Sequence, residues 1–163
     1  MLHQFCSWLS ETGASRFVQS EEWIIPTLQS VHILAIGILL SISGLIGLRV
    51  FIKGLVGTSL DNMVKSAAPW IWGALVVLGG TGVVLIIGEP TRELLNPAFR
   101  IKMGLLAFGI AFTASAHHWL ARPSLSHGAA RLPICMKIVA VSSFLIWLPI
   151  AAAGRWIAYG TEL

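Results

Sequence analysis

Four apolar runs constrain this chain more than any motif in it. They lie approximately at 26–52, 68–88, 98–121 and 134–158. Each reaches the roughly 20 residues that a helix needs to cross a hydrocarbon layer about 30 Å thick. Charged residues make up only 11% of the 163, hydrophobic ones 56%, and the mean hydropathy is +0.81. A soluble domain carries about 25% charged residues, so water is the wrong solvent for most of this surface. The chain is therefore expected to be all-α, one integral membrane domain over residues 1–163 built as a four-transmembrane-helix bundle. No stretch between the runs is long enough to bury a core of its own.

The segment before the first run, residues 1–25, has neither a basic start nor the continuous apolar stretch of a cleavable signal. Leu2, Phe5, Cys6 and Leu9 instead recur at i, i+3, i+4 and i+7, one face of a helix. With Trp8 and Phe17 they predict an amphipathic helix lying in the membrane interface ahead of the first crossing.

Local signals divide the rest. Glu21, Glu22 and Pro26 suit the start of the first long helix, where acids meet the dipole and proline's missing N–H costs nothing. Residues 54–62 are expected to be a loop, Ser66 the N-cap of the second helix and Pro69 part of its first turn. Its glycines, with others on the first helix, favour close helix contact and assembly with further membrane subunits or a second copy. Glu89 to Leu95 is expected to be a loop, and Asn96-Pro97 an N-cap followed by proline at the first helical position. Pro149 should kink the fourth helix.

Four crossings place both termini at one end of the bundle, called the terminal side below. The net charge of +4 does not signal nucleic acid, because its basic residues are scattered among helix ends instead of forming a stripe. Arg49, Lys53, Lys65, Arg122, Arg131 and Lys137 fall at the far side. Arg16, Arg92, Arg100, Lys102 and Arg155 fall at the terminal side. If Arg100, Lys102 and Arg155 serve the bundle interior, the loop count becomes six against two. The far side is then cytoplasmic and the termini periplasmic, in an inner membrane. Cys6 and Cys135 fall at opposite sides, so no disulfide is expected between them.

Ionisable groups within apolar helices face the interior or a cavity, since lipid does not solvate them. His32 is the first such group. At 100° per residue Gln29, Ile36, Leu39, Ser43 and Gly47 share its face. Either His32 ligates a metal or tetrapyrrole or carries a proton near a quinone, or it is a neutral histidine bonded to a neighbouring helix. On the third helix Lys102, Gly109, Thr113 and His117 form a second stripe, from which His118 points away. His32 and His117 are the candidate metal ligands. They do not suit a shared haem b, however. The first and third helices run parallel, His32 lies near the terminal side and His117 near the far side, and at 1.5 Å per residue their depths differ by roughly 20 Å.

What gathers at the terminal side is a different set: Gln29, His32, Glu89, Glu93, Arg100, Lys102, Arg155 and Tyr159. These residues either bind an acidic headgroup, a small anion or a quinone carbonyl, or lock the helix ends through ion pairs. The sequence holds no HExxH, GxSxG or P-loop and no carboxylate within an apolar span. An enzyme is not expected.

The segments Trp23-Ile24-Ile25-Pro26, Gln29 to Leu34, Leu48-Arg49, Asn96 to Lys102 and Ala153 to Tyr159 together resemble the DUF6644 family of small bacterial four-helix membrane proteins. The resemblance implies the bundle and a bacterial inner membrane, and no activity. A Glu often stands in that family where Gln29 stands here, so a charged partner for His32 is missing. A more distant likeness is to cytochrome b561-type and copper-resistance-D-type bundles, whose paired histidines find no counterpart in this chain. The expected function is that of a small accessory subunit of a larger membrane assembly, with a lipid or quinone site at the terminal side. The alternatives are electron transfer through a b-type haem on His32 and transport of a small anion or metal.

Overall fold

The computed structural model describes residues 1–50, 52, 60–120 and 134–159, with side chains through residue 154. The helices are α1 (Leu2–Ser10), α2 (Gly13–Ser20), α3 (Ile24–Arg49), α4 (Leu60–Gly88), α5 (Pro90–Leu94), α6 (Pro97–Leu120), α7 (Ile134–Leu145) and α8 (Trp147–Tyr159). Four stretches are long and apolar enough to cross a membrane: α3, α4, α6, and α7 with the first part of α8. In their most apolar windows only 17–28% of residues are buried inside the bundle. The remainder is half-buried or exposed, and much of it is apolar outer surface.

The long helices alternate in direction. α3 packs chiefly along α4 and then α7, while α6 packs on α8 and α7. The buried apolar cluster, including Ile46, Val64, Ile71, Leu120, Met136 and Ala140, fills the bundle from its middle to the far side. Toward the terminal side the interior instead carries His32, Thr81 and Lys102. Two glycines on α3 set its approach to α7. A Cβ on Gly44 would touch the Phe144 ring at 3.4 Å, and one on Gly47 would lie 3.6 Å from the Ala140 carbonyl oxygen.

Three expectations about local structure need correction. The second long helix begins at Leu60, not near 68. Residues 60–62, assigned to the loop, form its first turn, where Asp61 suits the dipole and pairs with Lys65 at 3.8 Å, one turn on. Pro69 accordingly sits inside α4, and Ser66 does not cap it. The presumed loop after Gly88 holds a short helix, α5, opened by Pro90 at N1. The N-terminal segment is two helices. Thr12 ends the first by donating to the Leu9 carbonyl (2.6 Å), and its oxygen caps the second through the Ser15 N–H (3.3 Å).

Other expectations hold. Asn96 caps α6, its Oδ1 accepting from the Ala98 N–H at 2.9 Å. The fourth span breaks at Ile146, three residues before Pro149, which brings no N–H to the Leu145 carbonyl. Cys6 is buried, Cys135 is exposed, and both are free thiols.

The two N-terminal helices dock on the terminal side. The Gln19 side-chain amide donates to the Gly88 carbonyl (2.8 Å) and to Ser15 Oγ (3.0 Å), closing one of the open acceptors at the end of α4. Val18 lies so close that a Cβ on Gly88 would stand 2.9 Å from its Cγ1. Cys6 Sγ points at the Pro90 carbonyl, 3.8 Å away. Of the predicted α1 face, Cys6 alone is fully buried, Leu9 is half-buried and Leu2 and Phe5 stay exposed; Trp8 is exposed too, its ring 5.9 Å from that of Phe5. One helical face docks, and an aromatic one is left uncovered.

Substitution of glycines on α4 should therefore change stability with opposite signs. Gly88→Val forces a β-branched side chain into Val18 and should destabilise by about 1–3 kcal/mol. Gly80→Ala, where a Cβ would meet nothing within 4 Å, should stabilise by up to about 1 kcal/mol through helix propensity. Unfolding of both variants in one detergent checks the pair.

Candidate functional site

α3 and α4 bring His32 against Thr81. The imidazole Nδ1 and the Thr81 hydroxyl are 2.7 Å apart, and that hydroxyl also lies 2.7 Å from the Val77 carbonyl oxygen. A hydroxyl has one proton to give. If that proton goes to Val77, Thr81 accepts from His32, the imidazole proton sits on Nδ1 and Nε2 is an acceptor; if it goes to His32, Nδ1 accepts and the proton sits on Nε2. A Cβ on Gly82 would lie 3.8 Å from the ring's Cε1, so the glycine forms the floor beneath the imidazole. Of the two readings of His32, the bond to a neighbouring helix is present.

Lys102 enters from α6. Its Nζ lies 3.4 Å from where a Cβ on Gly154 of α8 would stand. The ammonium is half-buried, and its charge reaches both His32 and Glu93. Among the described residues no carboxylate approaches it within ion-pair distance; the ion pairs there are Asp61–Lys65 and Glu89–Arg92. Glu89 and Arg92, 2.7 Å apart, clip the start of α5, a half-exposed pair worth at most about 1 kcal/mol. Glu93, one residue on, is half-buried. Burial pushes its carboxyl above the usual range, against the pull of Lys102 and Arg92, while Glu89 adds to the rise.

The terminal-side set divides. His32, Lys102 and Glu93 are electrostatically coupled, and Glu89 and Arg92 stand beside them. Gln29 is exposed, flanking the His32 face instead of lying on it. Arg100 is exposed as well, because two residues from Lys102 is more than half a turn around the helix. Arg155 and Tyr159 lie on α8, and their side chains are outside the described residues. Thr81, Gly82 and Gly154 were missed. A threonine in an apolar helix gives a sequence signal, but its partner follows only from the register between α3 and α4.

His117 occupies a separate place. It is buried while His118 is exposed, as the α6 stripe predicts. The stripe's Gly109 and Thr113 are buried with it. Lys102 is 15 residues before His117, roughly 22 Å along the helix. Since Lys102 lies near the His32 level, the two histidines do not meet at one metal. Among the described residues no three His, Cys, Asp or Glu side chains come together as a metal cage.

Comparison with known proteins gives one match. A family model described as a family of unknown function, DUF6644, matches residues 19–160. No curated protein and no solved structure matches the chain.

The raised carboxyl of Glu93 has a definite pH signature. A group whose pKa is raised on folding contributes stability below its unfolded value and loses it as pH rises through the folded one. Wild-type protein should thus gain stability relative to Glu93→Gln as pH falls from neutrality through the carboxylate range. Melting temperatures of both proteins across that range, in one detergent, check the slope; parallel curves would contradict it.

Proposed function

The chain belongs to the DUF6644 family, and from that premise we propose that it is a small, non-catalytic membrane subunit whose terminal-side interior holds the oxygen-bearing head of an amphiphile. One observation carries the reading. The Lys102 ammonium is half-buried against Gly154 with no carboxylate in ion-pair reach among the described residues. An ammonium removed from water needs an acceptor. A lipid phosphate or a quinone carbonyl supplies one, with the attached tail lying along the apolar outer surface. His32 Nε2, an acceptor when the proton sits on Nδ1, suits a hydroxyl on the same head.

The N-terminal pair roofs this end, and membrane insertion suits four long helices with so little of their surface covered. The basic residues favour termini on the non-cytoplasmic side. Restoring the exposed Arg100 to the terminal count leaves six against three, which keeps the sign. Association with a larger membrane assembly follows from the small size and from the glycines that α4 leaves open to its surroundings.

A second reading rests on the His32–Thr81 contact, in the tautomer with the proton on Nδ1. An imidazole oriented through Nδ1–H with Nε2 free is the arrangement of a histidine ligand supported by its neighbours. A b-type haem could take His32 as its one axial ligand, with His117 too distant along the bundle to be the other.

Two measurements separate these readings. Lipid and quinone extraction with mass spectrometry of the purified protein should find an anionic lipid or a quinone retained, and Lys102→Met should lose it severalfold. Which species is retained identifies the head. An oxidised-minus-reduced absorption spectrum of the same sample tests haem: a stoichiometric signal that His32→Ala abolishes and His118→Ala keeps would replace the lipid-or-quinone reading.

A further inference from the structure

Away from the terminal-side site, from mid-bundle toward the far side, four side chains are more than nine-tenths buried, each with a polar atom that has no hydrogen-bond partner among the described residues. They are Ser43 Oγ on α3, Thr113 Oγ1 and His117 Nδ1 on α6, and Trp147 Nε1 at the start of α8. Packing contacts of their neighbours place three of them within about one helical turn of one another along the bundle. Gly44, next to Ser43, lies against Phe144. Gly109, one turn before Thr113, lies 3.8 Å from the Trp147 ring edge, measured from where its Cβ would stand. His117 is one turn further along α6 from Thr113.

Two observations distinguish this layer from ordinary helix packing. Hydroxyls in apolar helices normally donate back to the carbonyl four residues earlier. Ser30, Thr81 and Ser115 reach that carbonyl here, at 2.8, 2.7 and 2.9 Å. Ser43 and Thr113, buried at least as deeply as Thr81 and far more so than Ser30 and Ser115, do not. Independently, the fourth span breaks in the same layer. The turn at Ile146 separates α7 from α8, and Pro149 gives the Leu145 carbonyl no N–H partner. Broken backbone at this depth is sustained where protein or water meets its polar groups.

We propose that the break in the fourth span is an internal water site, with bound water bridging Ser43, Thr113 and Trp147 and extending toward His117. Trp147 Nε1–H can only donate, the hydroxyls can do either, and the Leu145 carbonyl can only accept. A water, with two protons and two lone pairs, meets all of these at once, whereas an ion would leave either the indole or the carbonyl opposed. Buried waters of this kind typically make about three hydrogen bonds.

X-ray radiolytic hydroxyl-radical labelling with mass spectrometry, on full-length protein in nanodiscs, tests this directly, because bound water generates the radical beside its neighbours. After correction for intrinsic reactivity, Trp147 should label severalfold faster than Phe99, although its exposure, 3%, is below the 8% of Phe99. Ser43→Ala combined with Thr113→Val should slow Trp147 labelling severalfold and leave Phe99 unchanged. Trp147 labelling no faster than Phe99 in the wild-type protein, a comparison that needs no variant to fold, would overturn the proposal. So would a Trp147 rate that the double substitution leaves unaltered.

Discussion

The apolar surface that the long helices leave uncovered sets the terms for everything else. With 17–28% of each span window buried, association between helices cannot rest on removing grease from water alone. It rests on close approach and on a few polar contacts. The glycines of α3 against α7 and the His32–Thr81 bond between α3 and α4 are contacts of these two kinds. In such a bundle every interior polar atom carries unusual weight, because an unpartnered buried group costs roughly 1–3 kcal/mol, a sizeable share of a typical stability of 5–15 kcal/mol.

That weight is distributed unevenly along the bundle. The half toward the far side is filled mainly by aliphatic side chains and Met136, with His117 and Asp61 among the buried polar exceptions. The half toward the terminal side holds an imidazole, an ammonium and a carboxyl whose charges influence one another. The N-terminal helices cover this polar half. Fold and candidate site are thus linked: where hydrophobic packing thins out, charge and hydrogen bonding take over.

Features that depend on one helix at a time were legible in the sequence. The four long helices, the Asn96 cap, the Pro149 break and the contrast between His117 and His118 all follow from periodicity or from a residue's own backbone chemistry. Features that depend on register between helices were not. Thr81 is the partner of His32 because of how far α3 slides along α4, and no sequence pattern records that offset. Arg100 joins the set by its depth alone, and the angle around the helix turns it outward; Gln29, counted on the His32 face, sits far enough round from it to be exposed. Pro69 was read as a helix start because proline is favoured there. The apolar stripe and the Asp61–Lys65 pair carry α4 through it instead.

The clasp between α2 and the end of α4 has a consequence for the order in which the protein is made. Gln19 and its acceptor Gly88 are separated by 69 residues, and Cys6 and Pro90 by 84. At the 5–20 residues per second of translation, roughly 3–17 s pass between the emergence of the N-terminal helices and that of the surface they close on. During that interval α1 and α2 have each other and the start of α3, but lack the ends of α4 and α5 on which they close. If the four spans cross a membrane as proposed, the uncovered aromatic face of Phe5 and Trp8 suits these helices to wait on the lipid surface, so that docking becomes a search in two dimensions.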